Sequence, residues 1–153
     1  MKRTVIVLTS LLVVSMLSSP ATADPAWRTF PAPGERIYRG ETTGGGTVHF
    51  RVRKTETGRE IRGFFLATLL ECSDGTTKRE RKLLTDWGWT FEGRTAIVDE
   101  NRPFDWGLRI VGRFRPASAT GTLQFTWSML QDDHTALLCT TGEVEWTAER
   151  FYP

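Results

Sequence analysis

The chain has 153 residues, of which 39% are hydrophobic, and it carries a formal net charge of +2 with two cysteines. Its length suits one ordinary domain and is too short for two comfortable ones. A domain of this size buries enough surface to fold without a bound metal or a dense disulfide network. The small positive excess excludes the strongly basic composition that is typical of nucleic-acid-binding proteins.

The N-terminal segment has the three parts of a secretory signal peptide. Lys2 and Arg3 form a basic head, residues 5–17 are almost uniformly apolar, and a small-x-small triplet ends at Ala23, just before Asp24. The apolar part is too short for a permanent membrane span. An uncleaved anchor or a buried N-terminal strand would produce part of this pattern without the cleavage triplet. We therefore predict cleavage between Ala23 and Asp24 and a secreted, extracellular protein.

Cleavage would change the charge balance of the protein. The signal peptide, residues 1–23, contains Lys2 and Arg3 and no acidic residue, so the mature chain keeps 18 basic and 18 acidic residues. Its net charge is then zero, and we expect neither a nucleic-acid partner nor a membrane anchor in the mature chain. Residues 24–34 are proline-rich and predict an extended leader, which precedes a β domain over residues 35–153.

The two cysteines, Cys72 and Cys139, predict a disulfide, because pairing is the default in an exported protein. Two other interpretations are a pair of buried free thiols and a thiol nucleophile. A nucleophile usually needs a neighbouring base, and the only histidines are His49 and His134. The disulfide is therefore the favoured interpretation.

Several segments alternate between apolar and polar residues with a period of two, which is typical of β-strands with one buried face. Their apolar positions are Val48, Phe50 and Val52; Leu108, Ile110, Gly112 and Phe114; Leu123, Phe125, Trp127 and Met129; and Val144, Trp146 and Ala148. Turn-forming residues separate these segments at 55–58, 74–75, 116–118 and 131–134.

Two segments depart from simple alternation. Residues 61–72 are apolar at both parities, which predicts a central strand covered on both faces or a strand that bends between two sheets. Residues 78–84 offer the only helical alternative, and strands flank them. Short strands at near-regular spacing without helical crossovers predict an all-β fold, namely an antiparallel β-sandwich or a barrel-like single domain.

Short motifs follow one another in a fixed order along the mature chain. They are Tyr38-x-Gly40-x-Thr42, Val48-x-Phe50-x-Val52, Ile61-x-Gly63-Phe64, Cys72, Gly112-x-Phe114, Ala119-x-Gly121-Thr122 and Cys139-x-Thr141-Gly142-x-Val144-x-Trp146-Thr147-Ala148. With these motifs the chain resembles a group of small secreted bacterial all-β proteins of unassigned function. The resemblance implies an exported all-β domain with two cysteines in matching places, and it supplies no catalytic residues. The charged run 78–82 and the six tryptophans depart from that group's weakly charged, Ser- and Gly-rich sequences.

No pattern of catalytic or metal-binding residues stands out. His49 occupies an outward position of a strand and predicts a solvated side chain, while Asp132, Asp133 and His134 are typical of a polar turn. We therefore expect no metal, no cofactor and no catalytic residue.

Candidate carboxylates for a hydrolase are Asp99, Glu100, Asp105, Glu143, Glu145 and Glu149. The sequence gives no reason to pair any two, and the last three follow strand parity, as on a solvated face.

Basic residues concentrate in one short run, Lys78-Arg79-Glu80-Arg81-Lys82. Such a run could contact anionic cell-wall polymers or lipid headgroups, or form a charged loop or edge strand that discourages edge-to-edge pairing. The zero net charge of the mature chain favours the second interpretation. A wider basic face requires that two strands lie side by side. Its residues would be Arg51 and Arg53 on one strand and Arg109, Arg113 and Arg115 on the other.

The six tryptophans are the feature of the composition that most strongly suggests a binding surface. Trp127 and Trp146 have inward parity and predict core positions. Trp87 and Trp89 would share one face of a strand, and Trp106 follows the next turn. An exposed subset of these rings could bind carbohydrate or protein, although a helix-free domain also needs bulky residues to fill its core.

The function predicted from these observations is a non-enzymatic binding or surface module of unknown biochemical activity. Export, all-β periodicity and the lack of a catalytic pattern support it. Two alternatives stay open: a small extracellular carboxylate-dependent hydrolase, and an inhibitor of secreted proteases, which rests on size, export and disulfide alone.

Overall fold

The computed structural model describes residues 32–85, 88–102, 105–131 and 135–151. Within these ranges the chain is all-β, as predicted, and contains no helix. Its nine strands are β1 (Glu35–Thr42), β2 (Thr47–Lys54), β3 (Arg59–Cys72), β4 (Thr77–Leu84), β5 (Trp89–Phe91), β6 (Thr95–Asn101), β7 (Trp106–Phe114), β8 (Ser118–Leu130) and β9 (Ala136–Phe151). The predicted signal peptide, the cleavage site at Ala23 and Asp24 and most of the leader lie outside the described residues.

All nine strands belong to one antiparallel sheet, with the order β4-β3-β2-β1-β9-β8-β7-β6. Two meanders, β1 to β4 and β6 to β9, are joined where β1 pairs with β9. The short strand β5 pairs with the beginning of β3, and the end of β3 pairs with the beginning of β9. Because β3 reaches β9 past the tip of the β1–β2 hairpin, the sheet must curl strongly.

Aromatic side chains fill the interior of the curled sheet. Phe50 lies against Phe64, Phe114 and Trp146, with ring centroids 5.4, 5.4 and 4.6 Å apart. All four residues are at most 1% exposed. Burial of each such side chain contributes on the order of 2–3 kcal/mol. The alternating pattern of β2, β7 and β9 therefore places one aromatic cluster at the centre of the domain.

Gly112 makes room for this cluster. A Cβ atom at this position would lie 2.5 Å from Cζ2 of Trp146, closer than carbon atoms approach in folded proteins. A larger residue on β7 would therefore push the indole ring out of place. The alternation of Leu108, Ile110, Gly112 and Phe114 includes a glycine because an indole ring occupies the space of a side chain.

A bulge explains the irregular pattern of residues 61–72. Arg51 pairs with Gly63 and Val52 pairs with Ile61, so one residue of β3 is extra at this point. The bulge places both Ile61 and Phe64 in the interior. Farther along β3, Leu69 is 54% exposed, which contradicts a strand covered on both faces. The strand is bent by its bulge within a single sheet.

The structure also adds to or departs from the sequence analysis at three strands. Residues 78–84 are part of the strand β4, because they pair with β3 throughout, and are not helical. β6 lacked a clear sequence signal, since it buries only the side chains of Ala96 and Val98. In β8 the predicted inward face ends early: Trp127 is half-buried and Met129 is 38% exposed.

The described part of the chain contains no helix that is long and apolar enough to cross a membrane.

Candidate functional site

Backbone pairing and a disulfide close one side of the curled sheet, which we call the ladder side. Here β1 and β9 form six residue pairs, from Ile37–Phe151 to Thr42–Trp146. Cys72 of β3 pairs directly with Cys139 of β9, and the two cysteines form the predicted disulfide, with their Cα atoms 3.9 Å apart. This side of the domain is therefore held by both hydrogen bonds and a covalent bond.

On the opposite side, which we call the seam, the chain crosses once from β5 to β6, and the other contacts within the described residues are made by side chains. The strands at the two ends of the sheet, β4 and β6, share no backbone ladder within the described residues. Four side-chain contacts span the gap between their halves of the sheet. They are Arg59 Nη1 to the Phe114 carbonyl (3.2 Å), Trp89 Nε1 to Glu100 Oε1 (3.0 Å), Lys82 to Trp106 and Lys78 to Trp127.

The turn before β4 fixes the position of the seam lysines. Asp74 Oδ1 accepts hydrogen bonds from the hydroxyl of Thr76 at 2.6 Å and from its backbone N–H at 2.9 Å, and these bonds lower the pKa of Asp74. Gly75 supplies the positive φ of 82° that the turn requires. The Asp74-Gly75 turn predicted from the sequence is confirmed, and it sets β4 in register with β3.

Along β4, alternate side chains point toward the interior. Leu84 is buried in the core, and Lys82, Glu80 and Lys78 follow at the same parity and are half-buried. Their partners on β3 are inward residues such as Leu66 and Thr68. β4 therefore presents charged side chains to the interior at one end of the domain, where β3 presents Leu66, Thr68 and Leu70.

The two lysines reach tryptophans on the other side of the seam. Lys78 Nζ lies 5.1 Å from the ring centroid of Trp127, and Lys82 Nζ lies 4.8 Å from that of Trp106. Trp106 and Trp127 are direct partners on β7 and β8, so both ammonium groups converge on one pair of rings. Arg102 lies 5.7 Å from the Trp106 ring as well. We call these five residues the lysine–tryptophan cleft.

Neither lysine of the cleft forms a salt bridge with a carboxylate among the described residues, although the charge of Lys78 contributes to the lowered pKa of Asp74. Within the described residues the ion pairs are those of Glu60 with Arg53 (2.9 Å) and Arg62 (3.9 Å). The contacts of Lys78 and Lys82 are with aromatic rings, which offset part of the cost of holding a half-buried charge. Glu80 lies between the two lysines and leaves the cleft with an excess of positive charge. The cleft can therefore donate hydrogen bonds to an anion.

The tryptophans within the described residues do not form the exposed platform considered from the sequence. Trp146 is 1% exposed and Trp106 is 4% exposed, while Trp89 and Trp127 are half-buried and pack against the core. The prediction of core positions is confirmed for Trp146, and Trp127 lies at the core's margin. Trp87 lies outside the described residues. Recognition through exposed tryptophan faces is therefore not available at Trp106.

The candidate carboxylates are spread over the outer surface. Asp99 and Glu100 line a groove of about 170 Å³ on β6 to β8, but Glu100 already accepts the Trp89 N–H. Asp105 is exposed before β7. The solvated face predicted on β9 is confirmed, since its three glutamates are all exposed: Glu143, Glu145 and Glu149.

A second groove, of about 390 Å³, crosses β1, β9 and β8 and was not found from the sequence. Glu41 and Glu149 line it, with Arg39 on the strand position opposite Glu149. The Arg39 guanidinium stacks on the ring of Phe151 at 3.6 Å. Two carboxylates share this groove, so it is the place where a hydrolase hypothesis would be examined first.

The structure tests the prediction for one of the two histidines. His49 faces outward as expected, but it is half-buried beside Phe65, with ring centroids 5.3 Å apart. Burial and the Arg39 guanidinium lower the pKa of His49 from its usual 6.5 to about 4. The side chain is therefore neutral at physiological pH and less solvated than predicted. His134, with Asp132 and Asp133, lies outside the described residues.

The wider basic face is not formed, because β2 and β7 are not neighbours. β1, β9 and β8 lie between the strand that carries Arg51 and Arg53 and the strand that carries Arg109 and Arg113. Over the described ranges, no group of three or more His, Cys, Asp or Glu side chains is arranged to hold a metal ion.

Comparisons of this chain with protein-family models, with curated proteins and with solved structures found no match.

Proposed function

We propose that this protein is an exported, non-enzymatic binding module whose ligand carries negative charge and contacts the lysine–tryptophan cleft. One observation carries the proposal: the ammonium groups of Lys78 and Lys82 converge on a pair of tryptophans and form no salt bridge among the described residues. Export is proposed from the N-terminal signal pattern, and the disulfide is compatible with an oxidising compartment.

The arrangement suits binding rather than catalysis. The five residues of the cleft provide cationic donors and aromatic walls, and Glu80 is the one carboxylate between the two lysines, so the described residues offer no pair of acids there for general acid and base catalysis. An anion that enters would form charge-assisted hydrogen bonds with the lysines. Both lysine stems are already ordered by ring contacts, which reduces the entropy lost when a ligand binds.

A titration followed by tryptophan fluorescence and NMR tests the proposal. The probes are citrate, phosphate, sulfate and acidic sugar oligomers, with the corresponding neutral sugar oligomers as controls. We expect saturable changes at Trp106 and Trp127 with at least one anion and none with the neutral sugars. The double variant K78Q/K82Q should abolish these changes. The matched double variant R109Q/R113Q, which removes two exposed arginines from β7, should retain them.

Binding that persists in K78Q/K82Q, or changes confined to the groove of Glu41 and Glu149, would contradict the proposal. Turnover of a glycoside in that groove would instead favour the hydrolase alternative.

A further inference from the structure

The cations of β4 lie on both faces of an edge strand. Lys78 and Lys82 point inward, while Arg79 and Arg81 point outward and are exposed. Four of the chain's 20 basic residues thus lie within five consecutive positions, with Glu80 as the only acidic residue among them. This concentration contrasts with a composition that is nearly neutral overall.

Among the described residues, the outer edge of β4 has no backbone partner. β4 ends the sheet, and its backbone hydrogen bonds within the described residues are those with β3. The strand has eight residues and extends about 27 Å at roughly 3.4 Å per residue. An extended ligand that follows this edge can reach the inward lysines from one side and the outward arginines from the other.

The two-sided arrangement distinguishes between classes of anionic ligand. A flat anionic membrane surface can contact the outward arginines or the inward lysines, but not both sets together. Single-stranded nucleic acid binds by stacking its bases on exposed aromatic rings. In the cleft Lys82 lies over the Trp106 ring, and that ring is 4% exposed. A linear polyanion without bases can contact both faces of the strand edge, and it does not require an exposed aromatic ring.

We infer that the ligand of the lysine–tryptophan cleft is a linear acidic polysaccharide that lies along the outer edge of β4. This inference rests on the proposed function and adds the ligand class and the contact of Arg79 and Arg81. The carboxylate or sulfate groups on one side of the chain bind Lys78 and Lys82, and those on the other side bind Arg79 and Arg81. Because each cation neutralises a ligand charge, affinity depends on chain length and on salt.

A length series of acidic sugar oligomers tests this inference. The probes are galacturonic acid, its short oligomers and its long oligomers, titrated into the protein expressed from its full-length sequence, with methyl-esterified oligomers as uncharged controls. We expect affinity to rise with length until the oligomer covers β4, and then to level off. K78Q/K82Q and R79Q/R81Q should each reduce the affinity for long oligomers by roughly tenfold to thirtyfold.

The matched variant R109Q/R113Q should change that affinity by less than about twofold, as expected for charges away from the site. The slope of affinity against salt concentration should fall by about half in each β4 variant. R79Q/R81Q replaces exposed residues on the outer face of the sheet, so it keeps the test valid if K78Q/K82Q does not fold.

Each other outcome has a defined meaning. If galacturonic acid itself binds as tightly as the long oligomers, the inference of a linear ligand along β4 is wrong, while the proposed anion-binding function stands. Tighter binding to a single-stranded oligonucleotide or to vesicles of phosphatidylglycerol would show that the ligand is not an acidic polysaccharide. If no anion of any length binds, both the inference and the proposed function fail.

Discussion

The two sides that close this curled sheet are built in different ways. On the ladder side, six β1–β9 residue pairs and the Cys72–Cys139 disulfide join the strands. At the seam, apart from the chain segment that joins β5 to β6, the described residues provide side-chain contacts, among them the lysine–tryptophan pairs. Backbone ladders and covalent bonds resist local opening, whereas half-exposed side-chain contacts yield more easily. From this difference we attribute the stability of the domain to the ladder side and place the proposed ligand binding at the seam.

The largest expected effect comes from removing the disulfide. The double variant C72S/C139S frees a loop with a sequence separation of 67 residues, and chain entropy predicts a loss of about 4 kcal/mol in the free energy of unfolding. Urea unfolding measured by circular dichroism checks this value. Addition of a reducing agent should lower the stability of the wild type and leave the variant unchanged. An equal stability of both proteins would show that the ladder side does not depend on its covalent bond.

The next effect tests packing on the ladder side. In G112A the new methyl group would collide with Trp146, so we expect a loss of about 1–3 kcal/mol. Gly63 provides a matched control, because a Cβ atom there would meet only the flexible Arg51 side chain at 3.4 Å. G63A should change stability by less than about 0.5 kcal/mol. Thermal unfolding of both variants tests the pair, and equal losses would contradict the role given to Trp146.

Acid should lower the free energy of unfolding through His49, which lies on β2 opposite Arg39 of β1. Its native pKa of about 4 lies below the ordinary value of 6.5, so the unfolded chain binds the proton more tightly. Stability is therefore retained above pH 6.5 and falls as the pH decreases from 6.5 to 4, by about 1–2 kcal/mol for this half-buried group.

Unfolding free energies measured across this pH range check the expectation. The variant H49Q should lose this part of the pH dependence, and an unchanged profile would rule out His49 as its source.

The smallest stability effect is expected at the seam. K78Q/K82Q removes two cation–π contacts and should cost about 1 kcal/mol or less, because both side chains are only half-buried. Urea unfolding of the variant beside R109Q/R113Q gives the comparison. A loss as large as that of C72S/C139S would mean that the seam lysines are structural, and the division between the two sides would be wrong.

The sequence predicted those parts of the fold that depend on local pattern. Alternation at Val48–Val52 and Leu108–Phe114 predicted β2 and β7, and the two cysteines predicted the disulfide because export makes pairing the default. β6 escaped prediction because only Ala96 and Val98 are buried in it. Its buried side chains are too few and too small to produce a clear period.

The candidate site could be predicted only in part. The charged run at residues 78–82 was visible, and its position on an edge strand was one of two interpretations considered. The contacts of Lys78 with Trp127 and of Lys82 with Trp106 depend on how distant strands curl toward each other. Every residue of the run 78–82 is also charged. Because apolar and polar residues do not alternate there, the sequence does not indicate which of these side chains point inward.

Native-state hydrogen exchange, measured with and without long galacturonic acid oligomers, tests the division between the two sides most directly. We predict that amides of β4 and β6 exchange through low-energy local openings, that those of β1 and β9 exchange only near the global unfolding energy, and that the oligomers protect β4 selectively. Equal protection of both sides in the free protein, together with no change in β4 on addition of oligomers, would contradict this account.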